Sequence, residues 1–574
     1  MEQASRAVDP ASPLGQLATE AGLNLASGAP SREVLTAVLE DLIGVAISTE
    51  RDIGDVLDFV KRPVAVDDVL VAWNGRIGPI EITGRIDGAV LVGEDGSSLA
   101  ATTDGATISF DEPLPFGMHT LSVGVAGRES LSTVISAPRS LPEPTPRLWG
   151  AFASTFALRG IADVGVGDFS ALGQLATSIH KLGGEFVATP PLLPVYLDKP
   201  IDISPFTPIT RTAWNELHVD LSLVPGAEAL GDVVIDPPAS TPRLVDYPEV
   251  ASRQRQSLTT YSKLVRDHPA LRGELDRFLV SNPDVARYAR FRSLGETLSR
   301  DWRRWPAPWR HGDLSNAPVD ADIELMHQVG QWLAFNQIER LIDEVRDRGQ
   351  RLQLELPVGS HPNGFDVWAD QRLHMSHTRV HEPTDNTAPG IDWGHLAVRP
   401  DRDRRRGHRS FAAAVRHHAQ GGFLRIDQIS ALWRSWVVPD GAETSEGLYL
   451  EQPAEELLAI VCLECHRSNA IVTAGNLSSA PAHIRAAMLD LGAMQPLLDG
   501  RRSNERAPID DAVHTSGDAA LVHLDDLLAR FGPAPSQECD TTQWRVRHPK
   551  GVLDDERLRE WFTSFVECWT QPAD

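Results

Sequence analysis

The sequence predicts an α/β protein built on a mainly parallel sheet and preceded by a short helical segment and a small β-sandwich. Three observations carry this. After residue 148, buried strand-like runs alternate with helical stretches, as strands joined by crossover helices do. Between 64 and 137, short β-rich runs are broken by Gly, Asp and Asn turns. Before 62, apolar residues recur at helical spacing.

In the first segment, 1–62, Leu35, Val38, Leu39, Leu42 and Ile43 mark a helix face, with Ser31 as its N-cap. Residues 63–140 contain Val69-Leu70-Val71-Ala72-Trp73, Ile80-Glu81-Ile82-Thr83, Ala89-Val90-Leu91-Val92 and Leu121-Ser122-Val123-Gly124-Val125, read as an antiparallel sandwich. Four prolines between 138 and 146 can continue neither a ladder nor a helix and read as a linker. The main domain, 147–574, has strands at Phe186-Val187-Ala188, Leu352-Gln353-Leu354-Glu355-Leu356, Gly422-Phe423-Leu424-Arg425-Ile426-Asp427 and Ala470-Ile471-Val472-Thr473-Ala474. A charged, mainly helical insertion at about 221–336 has Tyr261 to Val280 and Val285 to Trp302 as its best helices.

The chain has 574 residues, 42% hydrophobic and 23% charged, the composition of a soluble globular protein. Its net charge of -25 disfavours nucleic acid, which requires a concentrated basic surface. The one dense basic run, Arg402 to Arg409, reads as a solvated loop. With neither a transmembrane-length apolar stretch nor a signal sequence, the expected location is the cytoplasm, with no membrane partner. Cys462 and Cys465 form a CxxC on a helical pattern without a second pair, so a zinc site is not expected.

Several segments carry a family resemblance. They are Leu148-Trp149-Gly150, Leu158-Arg159 and Gly165-Val166-Gly167-Asp168-Phe169; Ser204-Pro205-Phe206-Thr207-Pro208 followed by Arg211, Asn215, Leu217 and Asp220; and Leu356-Pro357-Val358-Gly359 with Asp366-Val367-Trp368-Ala369. Gly390-Ile391-Asp392-Trp393-Gly394 follows, then Leu424-Arg425-Ile426-Asp427 with Leu432-Trp433-Arg434, and the end of the chain adds Leu521 to Leu528 and Gln543 to Pro549. In this order they resemble the amylomaltases, the 4-alpha-glucanotransferases of glycoside hydrolase family 77. The resemblance implies a (β/α)8 TIM-type barrel acting on α-1,4-glucans or maltooligosaccharides, with no cofactor and no metal. It makes Asp427 the nucleophile, with Arg425 on the same side holding it ionised. It makes Phe206, Asp366, Asp392 and Trp393 substrate-binding residues, the last two on a loop beside the glucan. Phe206 stands for a tyrosine and keeps the stacking face without the hydroxyl.

The sequence departs from the family at the rest of the site. A retaining glycosidase needs a second carboxyl group roughly 5 to 5.5 Å from the nucleophile, to protonate the leaving oxygen. Where the family has Gly-Glu-Asp-Leu-Gly, this chain has Ala474-Gly475-Asn476-Leu477-Ser478, so Gly475 stands at the acid position. Gln428 replaces the histidine after the nucleophile. The third carboxylate, from a Thr-His-Asp motif, has its nearest match in His514-Thr515-Ser516-Gly517-Asp518; Asp518 is either the motif's remnant, stabilising the transition state, or the cap of the following helix. Glu464, near the end of a helix, reads as structural rather than as a replacement acid. The sequence thus leaves a transglycosylase, a non-catalytic glucan-binding or regulatory protein and, between them, a repurposed enzyme using an activated donor or an external nucleophile.

Overall fold

The computed structural model describes residues 8–27, 30–62, 64–143, 148–160, 164–198, 200–226, 244–383, 390–477, 480–494, 513–516, 519–524 and 560–561. At its centre is a seven-stranded sheet in the order Ile471–Ala474, Gly422–Ile426, Arg351–Leu356, Phe186–Ala188, Leu148–Phe152, Ala519–His523, Val513–Ser516. The first six are parallel and the last pair antiparallel. Most strand residues are buried and apolar, while Gln353, Glu355, Arg425 and Thr473 place buried polar groups on the sheet. Helices Phe169–Lys181 and Ala321–Asp347 pack against it through Leu172, Leu175, Ile338, Leu341 and Leu352. Among the described residues its two edge strands are not paired with one another.

A second layer was not read from the sequence. Leu23–Asn24, Leu448–Glu451, Arg434–Pro439, His374–Glu382 and Ile391–Val398 form a five-stranded antiparallel sheet. The N-terminal helices Pro13–Glu20, Arg32–Ile43 and Glu50–Val60 close over it, and Leu35, Val38 and Leu39 share one core with Met375, Val380, Val437 and Leu448. Ser31 accepts a hydrogen bond from the Val34 N–H as an N-cap, and Thr49 forms a capping box with Asp52.

The sandwich packs a five-stranded sheet against a three-stranded one around Leu91, Ile108, Leu121 and Val134. It is not wholly antiparallel, because Val69–Trp73 pairs in parallel with Arg128–Ala137. Alternation marks a strand but is blind to its partner's direction, which a long connection sets here.

Two further expectations are corrected. The stretch Tyr261 to Val280 is two helices, Tyr247–Asp267 and Pro269–Ser281, because His268 precedes a proline and leaves the helical region. The next helix, Pro283–Thr297, stops short of Trp302. The basic run is not a solvated loop: Pro400–Arg405 is a helix, Arg404 pairs with Glu456 at 2.9 Å, and Arg406 pairs with Asp370. Cys462 and Cys465 are buried free thiols. Glu464 is buried in a structural ion cluster, accepting from Arg416 and Arg467 at 2.7 to 2.9 Å. No described helix is long and apolar enough to cross a membrane, and no described cluster of His, Cys, Asp or Glu could hold a metal ion.

Candidate active site

The strand Gly422–Ile426 carries Arg425 inside the ladder and Asp427 just past its C-terminal end. The Asp427 N–H donates to the Leu356 carbonyl at 3.0 Å, extending the parallel pairing by one residue. Arg425 lies opposite Glu355 in the register, and its Nε donates to Glu355 Oε1 at 2.8 Å, both side chains being buried.

Arg425 does favour the ionised form of Asp427, as its placement on the same side implies, but it is outweighed. Burial and the charge of Glu355 outweigh Arg425 and the Gln428 N–H, and push the Asp427 carboxyl up to about 7 from its ordinary 3.8. A weaker contribution in the same direction comes from Glu382. Glu355 was missed as a site residue although its signal was present: in Leu352-Gln353-Leu354-Glu355-Leu356 a polar residue occupies every second position of a buried strand, which marks a polar inward face. Glu382 left no such signal.

Gly475 follows the neighbouring strand, where Ile426 pairs with Ala474 and the Gly475 N–H donates to the Ile426 carbonyl at 2.7 Å. A Cβ on Gly475 would lie 3.3 Å from Asp427 Oδ1 and 3.1 Å from Arg425 Nη2. Residue 475 therefore stands directly against Asp427, and it has no side chain. Gln428 and Asn476, the residues after Asp427 and Gly475, both have left-handed backbones, with φ of 46° and 56°. Non-glycine residues pay for that conformation, and here the two strained positions flank the carboxylate.

A recess of about 90 Å³ reaches Asp427 where the strand ends, at Leu356 and Ile426, meet the antiparallel sheet, at Val380, Leu396 and Ser435. Arg211, His374 and His395 also line it. Burial pushes both histidines down to about 4, so their imidazoles are neutral at pH 7. Asp366 is not among the lining residues. Its oxygens accept from Thr210 Oγ1 and Ser360 Oγ at 2.5 Å and from the Arg211 N–H at 3.0 Å, and Arg211 Nε lies 3.8 Å away. Asp366 thus positions Arg211 and two loops.

Trp393 and Asp392 lie on a strand, Ile391–Val398, and not on a loop. The family resemblance implied a loop here, yet the segment is held by antiparallel pairing to His374–Glu382. The half-buried Trp393 ring stacks on His395 at 5.9 Å. Exposed Asp392 accepts from the Gly394 N–H at 2.7 Å. The Phe206 loop abuts this strand, since a Cβ on Gly394 would lie 3.7 Å from the Thr207 methyl. The structure therefore groups Arg425, Asp427 and Gly475 at the strand end, and the Phe206 loop with Asp392 and Trp393 beside the antiparallel sheet. Asp518 lies outside the described residues.

The described residues thus form an α/β protein with a mainly parallel sheet, in which a carboxylate at one strand's C-terminal end is backed by an ion pair between that strand and its neighbour. Residues 153–496 match the family described as 4-alpha-glucanotransferase. The chain is 28% identical over 520 residues to the 4-alpha-glucanotransferase of Mycobacterium tuberculosis (H37Rv), covering 81% of this chain and 71% of the relative. It is 26% identical over 414 residues to that of Haemophilus influenzae, covering 65% and 59%. Its fold is similar to amylomaltase from Corynebacterium glutamicum, with a TM-score of 0.73, 19% identity, and coverage of 88% of this chain and 78% of that one. The acarbose complex of Streptococcus agalactiae amylomaltase aligns with a TM-score of 0.62 at 16% identity, over 74% of this chain and all of that one. With more than half of its length matched, this chain belongs to the 4-alpha-glucanotransferase family.

Proposed function

We propose that the protein binds an α-1,4-glucan or maltooligosaccharide over the strand ends and transfers glucanosyl units through Asp427, by a retaining reaction that lacks the general acid at position 475. In this reading the described parallel strands are part of a closed (β/α)8 barrel, Phe206 and Trp393 offer apolar ring faces to the glucan, and the protein works in the cytoplasm. The carrying observation is Asp427 at the end of its strand, touching the space above Gly475. Attack on C1 requires the ionised carboxylate, so a carboxyl pushed up to about 7 gives a rate that rises with pH through neutrality. Removing a general acid costs about 10²–10⁴-fold on a poor alkoxide leaving group and little on a good one.

The second reading, a non-catalytic glucan-binding protein, draws on Gly475 itself and on the protonation of Asp427 below pH 7. An activated donor separates the two. The wild-type protein should form a covalent glucosyl adduct from α-glucosyl fluoride, visible by mass spectrometry and intercepted by azide, and Asp427→Asn should form none. Glucan binding by titration without any adduct would establish the binding protein instead.

A further inference from the structure

Without a carboxyl group at 475, an ordinary glucan has no proton for its departing oxygen, and the site favours a donor whose leaving group needs none. The recess beside Asp427 has the size and the polar groups for one such leaving group. Its volume of about 90 Å³ is that of roughly three waters of liquid, at about 30 Å³ each, and lies far below the roughly 300–1,000 Å³ of pockets that enclose a whole small molecule. A tetrahedral oxyanion fits there and a hexose ring does not.

Arg211 is the one permanent cation among the described residues that line the recess. Its Nη1 donates to the Val358 carbonyl at 3.1 Å. Its buried Nε makes no hydrogen bond among the described residues, and the Asp366 oxygen 3.8 Å away already accepts from Ser360 and the Arg211 N–H. A buried guanidinium N–H left in this way is costly unless a ligand supplies the acceptor. His374 and His395 stand on the same walls. In each, Nδ1 lies against a backbone carbonyl, that of Asp370 at 3.1 Å and that of Trp393 at 3.3 Å, so the proton sits on Nδ1 and Nε2 is an acceptor. His395 is 4% exposed, and its Nε2 has no partner among the described residues. A cationic donor and an unpaired acceptor together suit an oxyanion that still carries one proton. Asp403, also on the wall, is met by His408 at 2.7 Å, which leaves Asp427 as the acid that faces the bound anion.

We infer that the donor is an α-glycosyl phosphate bound as its monoanion, with the phosphate in this recess between Arg211 and His395, the sugar over Asp427, and the glucan as acceptor. In the first step the Asp427 carboxylate forms an ester to C1 as the C1–O bond breaks, and the bonding pair leaves with the phosphate, which departs as hydrogen phosphate and takes no proton from the protein. In the second the acceptor hydroxyl attacks C1, its proton passes to the hydrogen phosphate still held by Arg211, and the ester bond breaks to return the Asp427 carboxylate. Dihydrogen phosphate is the second product.

The inference rests on Asp427 being the nucleophile and names the donor for that reaction. Wild type, Arg211→Gln and Asp427→Asn are each given maltotriose alone, with α-glucosyl phosphate, and with α-glucosyl fluoride, followed by assay of free phosphate and fluoride and chromatography of the sugars. Wild type should release phosphate and lengthen maltotriose in equal amounts, while maltotriose alone reacts about 10²–10⁴-fold more slowly. Phosphate release should fall above neutral pH, because the donor loses its second proton near a pKa of about 6 and a dianionic donor would have to expel a trianion. Arg211→Gln should slow phosphate release about 10²-fold more than fluoride release. Inorganic phosphate titrated into wild type by calorimetry should bind and compete with the sugar phosphate, a measurement that does not depend on the variant folding. A wild type that uses the fluoride but frees no phosphate, or that binds inorganic phosphate without turning over the sugar phosphate, would overturn the inference and leave Asp427 in place. So would equal losses on both donors in Arg211→Gln, or maltotriose alone reacting as fast as with the sugar phosphate. A wild type inert toward both donors, or transfer from the fluoride surviving in Asp427→Asn, would overturn the nucleophile itself, and the inference with it.

Discussion

Two regions bury carboxylates in this molecule and treat them in opposite ways. In the helical insertion, His327 sits between Glu216 and Glu296, 3.4 and 2.7 Å from them, while Arg255 and Arg292 reach Glu296 at 2.6 and 3.5 Å. Burial alone would raise both acids, but the hydrogen bonds and charges of His327 and Arg292 outweigh it and hold them below the usual carboxylate range. At the strand end the balance reverses. Arg425 is bonded to Glu355, and its charge at Asp427 is outweighed by burial and by the like charge of Glu355, so the Asp427 carboxyl rises to about 7. The insertion also borders the larger cavity, about 310 Å³, but its polar groups are engaged with one another. What separates the two clusters is not burial but how much cationic charge and hydrogen bonding reaches the acid.

The sharpest way to break the contrast is to unpair the insertion cluster. Arg292→Ala should cost about 3–5 kcal/mol, read by urea unfolding, because it strips a buried carboxylate of a cationic partner. A loss below 1 kcal/mol would mean that the cluster is not the structural half of the comparison. Asp366→Ala should cost about 1–3 kcal/mol, as two hydroxyls and the Arg211 N–H lose a charged acceptor. It should also loosen Arg211, visible as faster hydrogen exchange in the two loops that Asp366 joins.

Gly475→Ala tests how closely Asp427 is approached. Contacts of 3.1 to 3.3 Å ask Arg425 and Asp427 to give by a few tenths of an ångström, so a loss of about 1 kcal/mol is expected, detectable as a lower urea midpoint. A neutral effect would show that the strand end has slack enough to hold a larger side chain.

The last effect is one of sign. Native Asp427 keeps a proton that the unfolded chain gives up from about pH 4 upward, so the stability linked to it is complete below its unfolded value of 3.8 and is lost as pH rises through about 7. Asp427→Asn, which cannot ionise, should therefore raise Tm relative to wild type at pH 8, and the gain should vanish toward pH 4. A constant or negative difference across that range would contradict the raised proton affinity.

Much of the strand end was legible because its information is local. Leu424-Arg425-Ile426-Asp427 is a buried run ending in a charge, and alternation places Arg425 and Asp427 on one side without knowledge of any neighbour. The absence of a side chain at 475 is likewise a fact of sequence. The antiparallel sheet was illegible because its strands run from Leu23 to Glu451, separated by helices and strands of the parallel sheet, and no short-range signal pairs them. Trp393 was placed on a loop for the same reason: the family resemblance implied one, and only the partner strand shows an extended segment.

The sequence by itself determined which chemistry could be present: a strand-end aspartate, an arginine two residues before it, no acid at 475, and a net charge that turns away polyanions. The tertiary structure decided how those groups behave. Arg425 met Glu355, 70 residues earlier in the chain, through parallel register, and the charge of Glu355, with burial, outweighs it at Asp427. Asp366 was drawn into bonds with Thr210 and Ser360. A residue type sets what a group can donate or accept, whereas its proton affinity and its partner depend on distances across the fold, which the order of residues along a chain does not contain.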